Sequence, residues 1–164
     1  MKMSKIAFVT GATSGIGRAT ALLLAKEGYN LIICGRRAER LETLSAEVDV
    51  DTLALSFDVR DRKSVEEAIN SIPEKWKSID VLINNAGNAH GLSKIQDGDV
   101  DDWDAMIDIN VKGLLYVTKA LLPRMVARGS GHIVNLGSIA GKEAYPGGNV
   151  YCASKHAVDA INNG

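Results

Sequence analysis

Short apolar runs alternate along the chain with segments whose hydrophobic positions recur every three or four residues, the pattern of strands interleaved with amphipathic helices. Runs of strand length fall at Ile6 to Thr10, Leu31 to Cys34, Thr52 to Phe57, Val81 to Asn84 and His132 to Leu136. Between them the spacing predicts a helix over Ile16 to Lys26, with Ile16, Ala19, Leu23 and Leu24 on one side and Gly28 as its cap. Further helices are predicted over Ala38 to Val48 and over Arg62 to Ile72, the second stopped by Pro73. Asp101 and Asp102 stand near the start of a helix running to about Asn110, where their negative charge suits the macrodipole. A long apolar helix follows from Val111 to Val126, and Pro123 is expected to bend or tighten its last turn. Strands that alternate with helices in this way form a parallel sheet covered on both faces. The prediction is one domain over residues 1–164, a doubly wound α/β sheet in three layers. Its last segment, Tyr151 to Gly164, is still laying down an apolar side at Ala157, Val158, Ala160 and Ile161, so the domain is expected to lack its C-terminal strands.

Composition narrows the function classes. The 164 residues are 46% hydrophobic and 24% charged, ordinary values for a globular domain. A net charge of -1 offers no basic field to a nucleic acid or an anionic membrane, and both are excluded as partners. No apolar run approaches the roughly 20 residues of a membrane span, and Met1 to Lys5 lead into the first strand without a signal-peptide stretch, so a cytoplasmic location is expected. Cys34 and Cys152 are read as free thiols, Cys152 as a small packing residue. His90, His132 and His156 show no metal-ligand spacing, and no metal is expected. His156 follows Lys155 but faces another side of its helix, which makes it a surface or packing residue.

The first strand runs into Thr10-Gly11-Ala12-Thr13-Ser14-Gly15-Ile16-Gly17. This Gly-x3-Gly-x-Gly spacing departs from the GxGxxG fingerprint but supplies the same physics: a tight turn, close backbone approach and the free N–H groups of a helix start, all suited to a pyrophosphate. Thr13 and Ser14 add hydroxyl donors. On these grounds the sheet is predicted to be Rossmann-like; a glycine-rich turn without a ligand is the alternative, since short glycine motifs recur by accident. An NAD-binding domain carries an acid at the end of its second strand, and here that place, 18 residues after Gly17, reads Gly35-Arg36-Arg37. Two guanidiniums suit a 2′-phosphate, so NADP(H) is the expected cofactor. Asp58 ends the third strand beside Val59, placed to meet an adenine, and an Asp there is equally a common helix cap. Asn85, Ala86 and Gly87 follow the fourth strand, at the carboxyl edge where ligands gather, and their small side chains admit a flat cofactor.

Tyr151 and Lys155 stand one helical turn apart, on one helix face, and follow Ser138 at the end of the fifth strand. Reduction of a carbonyl needs a proton for the developing alkoxide, and an ammonium beside a phenol favours release of the phenolic proton. Lys155 can also hold ribose hydroxyls, while Ser138 can donate to the substrate oxygen beside Tyr151. Asn110 is a poor helix former inside an apolar helix, which predicts a local backbone or water contact.

TGATSGIG at 10–17, NNAG at 84–87, Asn110, Ser138 and Tyr151-x3-Lys155 together resemble the short-chain dehydrogenase/reductase family over nearly the whole chain. The resemblance implies an oxidoreductase acting on CH–OH groups. In it Gly11, Ser14, Ile16, Arg36, Arg37, Asp58, Val59 and Asn85 touch the cofactor, Tyr151 is the acid/base, and Lys155 eases its deprotonation and binds ribose. Ser138 orients the carbonyl, and Asn110 carries a proton-relay water. It also implies a homodimer or homotetramer. The stretches 35–41 and 145–151 look most similar to NADP-dependent 3-hydroxy acid dehydrogenases that oxidise serine-like compounds. Reduction of 3-oxoacyl thioesters is the enzymatic alternative, and a catalytically silent NADP-binding module the other.

Overall fold

The computed structural model describes residues 4–164; residues 1–3 lie outside the described residues. Five strands, β1 (Ile6–Thr10), β2 (Asn30–Gly35), β3 (Thr52–Ser56), β4 (Ile79–Asn84) and β5 (His132–Asn135), form one parallel sheet in the order β3-β2-β1-β4-β5. The helices are α1 (Gly15–Lys26), α2 (Ala38–Ala46), α3 (Arg62–Asn70), α4 (Val100–Ile107), α5 (Leu114–Arg128) and α6 (Asn149–Asn163). β1 lies between β2 and β4, with Phe8 opposite Ile32 on one side and Leu82 on the other. From β1 the chain winds outward one way through β2 and β3 and the other way through β4 and β5. The reversal opens a crevice outside the carboxyl ends of β1 and β4, where doubly wound sheets hold their ligands.

The strand order is Rossmann-like, and helices cover both sides of the sheet because both its faces are apolar. Phe8, Ile32 and Leu82 bury against Val65 and Ile69 of α3 and Val117 and Leu121 of α5. Ala7, Val9, Leu31 and Ile33, one residue out of phase, bury against Ala21 and Ala25 of α1 and Leu41 and Leu44 of α2. Fully buried side chains of this size contribute roughly 1.5–3 kcal/mol each, which fixes the register, because a slip of one residue would exchange the two faces.

β1 has the predicted bounds, and the other strand and helix boundaries move by at most three residues. Phe57 and Leu136 fall just outside β3 and β5, although their N–H groups still bond to Gly35 and Asn84. The larger difference lies between α4 and α5. The backbone stays helical from Val100 to Arg128, and Asp108–Gly113 form a wider π-helical turn between them. Pro123 has no N–H for the Lys119 carbonyl, yet α5 continues to Arg128. Cys34 and Cys152 are buried free thiols, and burial pushes the Cys34 thiol up to about 12. Among the described residues no helix is long and apolar enough to cross a membrane.

Candidate active site

The glycine turn is a close three-way contact between the ends of β1 and β4 and the start of α1. Gly11 (φ 64) and Gly15 (φ 54) take left-handed backbone conformations that L side chains rarely adopt. A β-carbon on Gly17 would collide with the Gly11 carbonyl and the Asn85 amide. The Asn85 amide donates to the Thr10 carbonyl at 2.9 Å and the Gly11 carbonyl at 3.2 Å, while the Thr10 hydroxyl accepts from the N–H groups of Asn85 and Ala86, each at 2.9 Å. Asn85, expected as a cofactor contact, therefore already uses its amide to hold the turn. Ser14 caps α1 with extended backbone and without a side-chain cap bond, so it does not occupy the helix N–H groups.

Beyond the ends of β2 and β3 the two arginines have different surroundings. Arg37 donates to the hydroxyls of Thr13 (2.6 Å) and Ser14 (3.2 Å), tying α2 to the glycine turn. Arg36 is 63% exposed and comes only within 4.0 Å of Asp58, leaving its guanidinium available to an anion. Partial burial works against the Asp58 carboxylate, but the side-chain and backbone N–H groups of Arg60, with the charges of Arg60 and Arg36, outweigh it and hold the carboxyl below its ordinary value. Arg60 grips both Asp58 oxygens at 2.6–3.1 Å. Asp58 is not a helix cap: that role falls to Asp61, whose side chain accepts from the N–H groups of Lys63 and Ser64.

At the other end, Lys155 is only 8% exposed and donates to the Leu136 carbonyl at 2.8 Å. Burial lowers its pKa. Its Nζ lies 6.0 Å from the centre of the Tyr151 ring, so the two side chains share a face as their spacing requires. The Ser138 hydroxyl accepts the Ala140 N–H at 3.2 Å, which leaves its own proton to donate. The short 3-10 turn Ile139–Gly141 presses on α6 so closely that a β-carbon on Gly141 would sit 2.6 Å from the Lys155 carbonyl, fixing Ser138 relative to Tyr151.

Gly11, Thr13, Ser14, Gly15 and Ile16 line a single cleft of about 860 Å³ together with Arg36, Arg37, Asp58, Val59, Asn85, Ala86, Gly87, Ser138, Tyr151 and Lys155. Gly17 and Asn110 are the predicted residues that do not line it. Both are buried behind its wall. Asn110, 2% exposed, bonds backbone as expected, but backbone remote in sequence rather than local: its side chain accepts the Asn88 N–H and donates to the Asn88 carbonyl, both at 2.9 Å, and donates to Ser154 at 3.0 Å. The π turn that contains Asn110 and the distant pairing partners are the physical reason for this correction. Sequence reasoning also passed over Asn88, Ala89, His90 and Gly137, which line the cleft. The placement of the first three directly after NNAG was the one available signal.

Comparison with known proteins agrees with this geometry. A family model described as short chain dehydrogenase matches residues 5–163. The chain is 49% identical over 150 residues to the NADP-dependent 3-hydroxy acid dehydrogenase YdfG of Salmonella typhi, covering 92% of this chain and 60% of the relative. It is 51% identical over 158 residues to sulfoacetaldehyde reductase 2 of Chromohalobacter salexigens, covering 93% and 62%. The chain thus spans about 60% of the length of these curated relatives. A solved serine dehydrogenase complexed with NADP+ superposes with a TM-score of 0.93 at 46% identity, over 95% of this chain and 63% of that one. With a match along nearly its whole length and the glycine turn, NNAG, Ser138, Tyr151 and Lys155 brought to one crevice, the chain belongs to the short-chain dehydrogenase family.

Proposed function

We propose that this chain binds NADP(H) across the cleft and serves an oxidoreductase that acts on the hydroxyl or carbonyl carbon of a small polar acid, a 3-hydroxy acid such as a serine-like compound. The observation that carries the reading is the joint lining of one crevice by a pyrophosphate-sized glycine turn with a free Arg36 and by Ser138, Tyr151 and Lys155. Relatives named for 3-hydroxy acids and for a sulfonated aldehyde support a substrate that carries an acid group.

The residues fit the cofactor. The turn has no room for β-carbons at Gly11 and Gly17, as a cradle for a backbone-hugging pyrophosphate requires, and Arg36 stands where a 2′-phosphate needs a cation. When bound, NADP(H) supplies or accepts the hydride. Tyr151 exchanges its phenolic proton with the reacting oxygen, and the buried Lys155 ammonium stabilises the phenolate left behind. Ser138 donates its free hydroxyl proton to the same oxygen, so charge developing there meets a donor already in place. Asn110 positions the loop at Asn88 and, through Ser154, the helix that carries Tyr151 and Lys155.

The test is NADPH-linked turnover of 3-hydroxy and 3-oxo acids by the parent and by Tyr151→Phe. Loss of the proton donor is expected to lower turnover by about 10²–10⁴ while NADPH binding, followed by its fluorescence, is retained. Near-normal turnover by Tyr151→Phe overturns the assignment.

A further inference from the structure

A substrate with an acid group needs a donor for that group in addition to those at its reacting oxygen, because an unpaired anion taken from water into a cleft is strongly disfavoured. The cationic side chains lining the cleft are Arg36, Arg37, Lys155 and, when protonated, His90. Arg36 and Arg37 follow β2 at the adenosine end, where Arg37 holds Thr13 and Ser14. Lys155 is bonded to the Leu136 carbonyl. His90 is left, with a side chain 49% exposed, on the loop that follows β4.

That loop is held on both sides by the elements of the catalytic end. Asn110 bonds both backbone groups of Asn88, and Asn149 at the start of α6 donates to the Ser93 carbonyl at 3.0 Å. At Gly91 the loop lies so close to α4 that a β-carbon would sit 2.8 Å from an Asp102 oxygen. The same carboxylate stands 3.9 Å from His90 Nδ1, the one acid at ion-pair distance from the ring among the described residues. Reach is adequate. An extended chain advances at most about 3.3–3.6 Å per residue, so the His90 backbone lies within roughly 11 Å of Gly87. A β-carbon on Gly87 would be 3.8 Å from Lys155 Nζ.

Resting on the functional reading above, we propose that His90 is a specificity-determining residue: its protonated imidazole, steadied at Nδ1 by Asp102, receives through Nε2–H the carboxylate or sulfonate at the unreactive end of the substrate. A ring that donates at both nitrogens can bridge Asp102 and the acid group, whereas a neutral imidazole has a single donor.

Two measurements test this on the intact chain with NADP+ bound. By NMR, 3-hydroxypropanoate is expected to shift the His90 ring resonances, and 3-hydroxypropanamide to leave them in place. In kinetics, His90→Leu is expected to raise KM for the acid by about ten- to a hundredfold, the range for one charge-assisted hydrogen bond, without changing turnover of an uncharged ketone. His90→Arg restores the acid preference. Equal ring shifts with acid and amide, or equal losses on acid and ketone in His90→Leu, overturn the assignment. A parent chain that binds NADPH and reduces the ketone but shows no His90 effect removes this inference alone. A chain that neither binds NADPH nor turns over any substrate removes the functional reading and this inference with it.

Discussion

At Gly17 the place of a β-carbon is taken by the Gly11 carbonyl and the Asn85 amide, whereas at Gly137, also beside the cleft, nothing lies within 4 Å. The same glycine-to-alanine change therefore has different consequences at the two sites. Helix propensity favours alanine at position 17 by about 1 kcal/mol. Overpacking costs about 1–3 kcal/mol, and here the upper part of that range applies because a backbone carbonyl cannot rotate out of the way. Sterics win. Gly17→Ala is expected to lower the melting temperature by several degrees, at about 2–4 °C per kcal/mol for a chain of this size, and to weaken NADPH binding by displacing the turn. Gly137→Ala is expected to stay within about 0.5 kcal/mol of the parent. Thermal denaturation and NADPH titration of both variants decide it, and equal melting temperatures for the two would show that the turn tolerates the extra carbon.

Between α4 and α5 the π turn carries Asn110, which is buried and joins two elements that are remote in sequence: the loop after β4 through Asn88, and α6 through Ser154, whose hydroxyl in turn donates to the Tyr151 carbonyl at 2.7 Å. Asn110→Ala leaves the Asn88 N–H and carbonyl without partners, and an unsatisfied buried group costs about 1–3 kcal/mol. A loss of at least about 2 kcal/mol is expected, seen as a lower melting temperature, with Ser138→Ala as the control because among the described residues the Ser138 hydroxyl bonds only the nearby Ala140 N–H. An unchanged melting temperature in Asn110→Ala would mean that water replaces the clamp without penalty. The strands, the glycine turn and the Tyr151–Lys155 pair were legible in the sequence, since each is a local pattern: apolar runs, backbone conformations that demand glycine, and i,i+4 spacing. The π turn was not, because it leaves the apolar periodicity of the segment almost untouched. Nor were the partners of Asn110, Asn85 and Arg37, which lie 22–75 residues away and meet only once the sheet is assembled.

Over the whole molecule, the cleft extends from the ends of β2 and β3, past β1 and β4, to α6, so a dinucleotide filling it would contact both halves of the sheet. Such a ligand binds the folded chain and not the unfolded one. At a hundred times its Kd it stabilises the fold by about 2.7 kcal/mol. At about 2–4 °C per kcal/mol, that is a rise in melting temperature of roughly 5–11 °C. NADPH and NADH differ only in the 2′-phosphate, and one charge-assisted hydrogen bond to it is worth about 1.5–3 kcal/mol, or roughly ten- to a hundredfold in Kd. Equal concentrations of the two are therefore expected to give a larger rise with NADPH. The gap should close in Arg36→Ala, since the Arg36 guanidinium makes no short bond among the described residues, and should narrow at high salt. Arg37→Ala has a different signature: it releases the Thr13 and Ser14 hydroxyls and lowers the melting temperature even without ligand. Identical rises with NADPH and NADH in the parent would show that the arginine pair reads no phosphate, and the division of labour between Arg36 and Arg37 would fail with it.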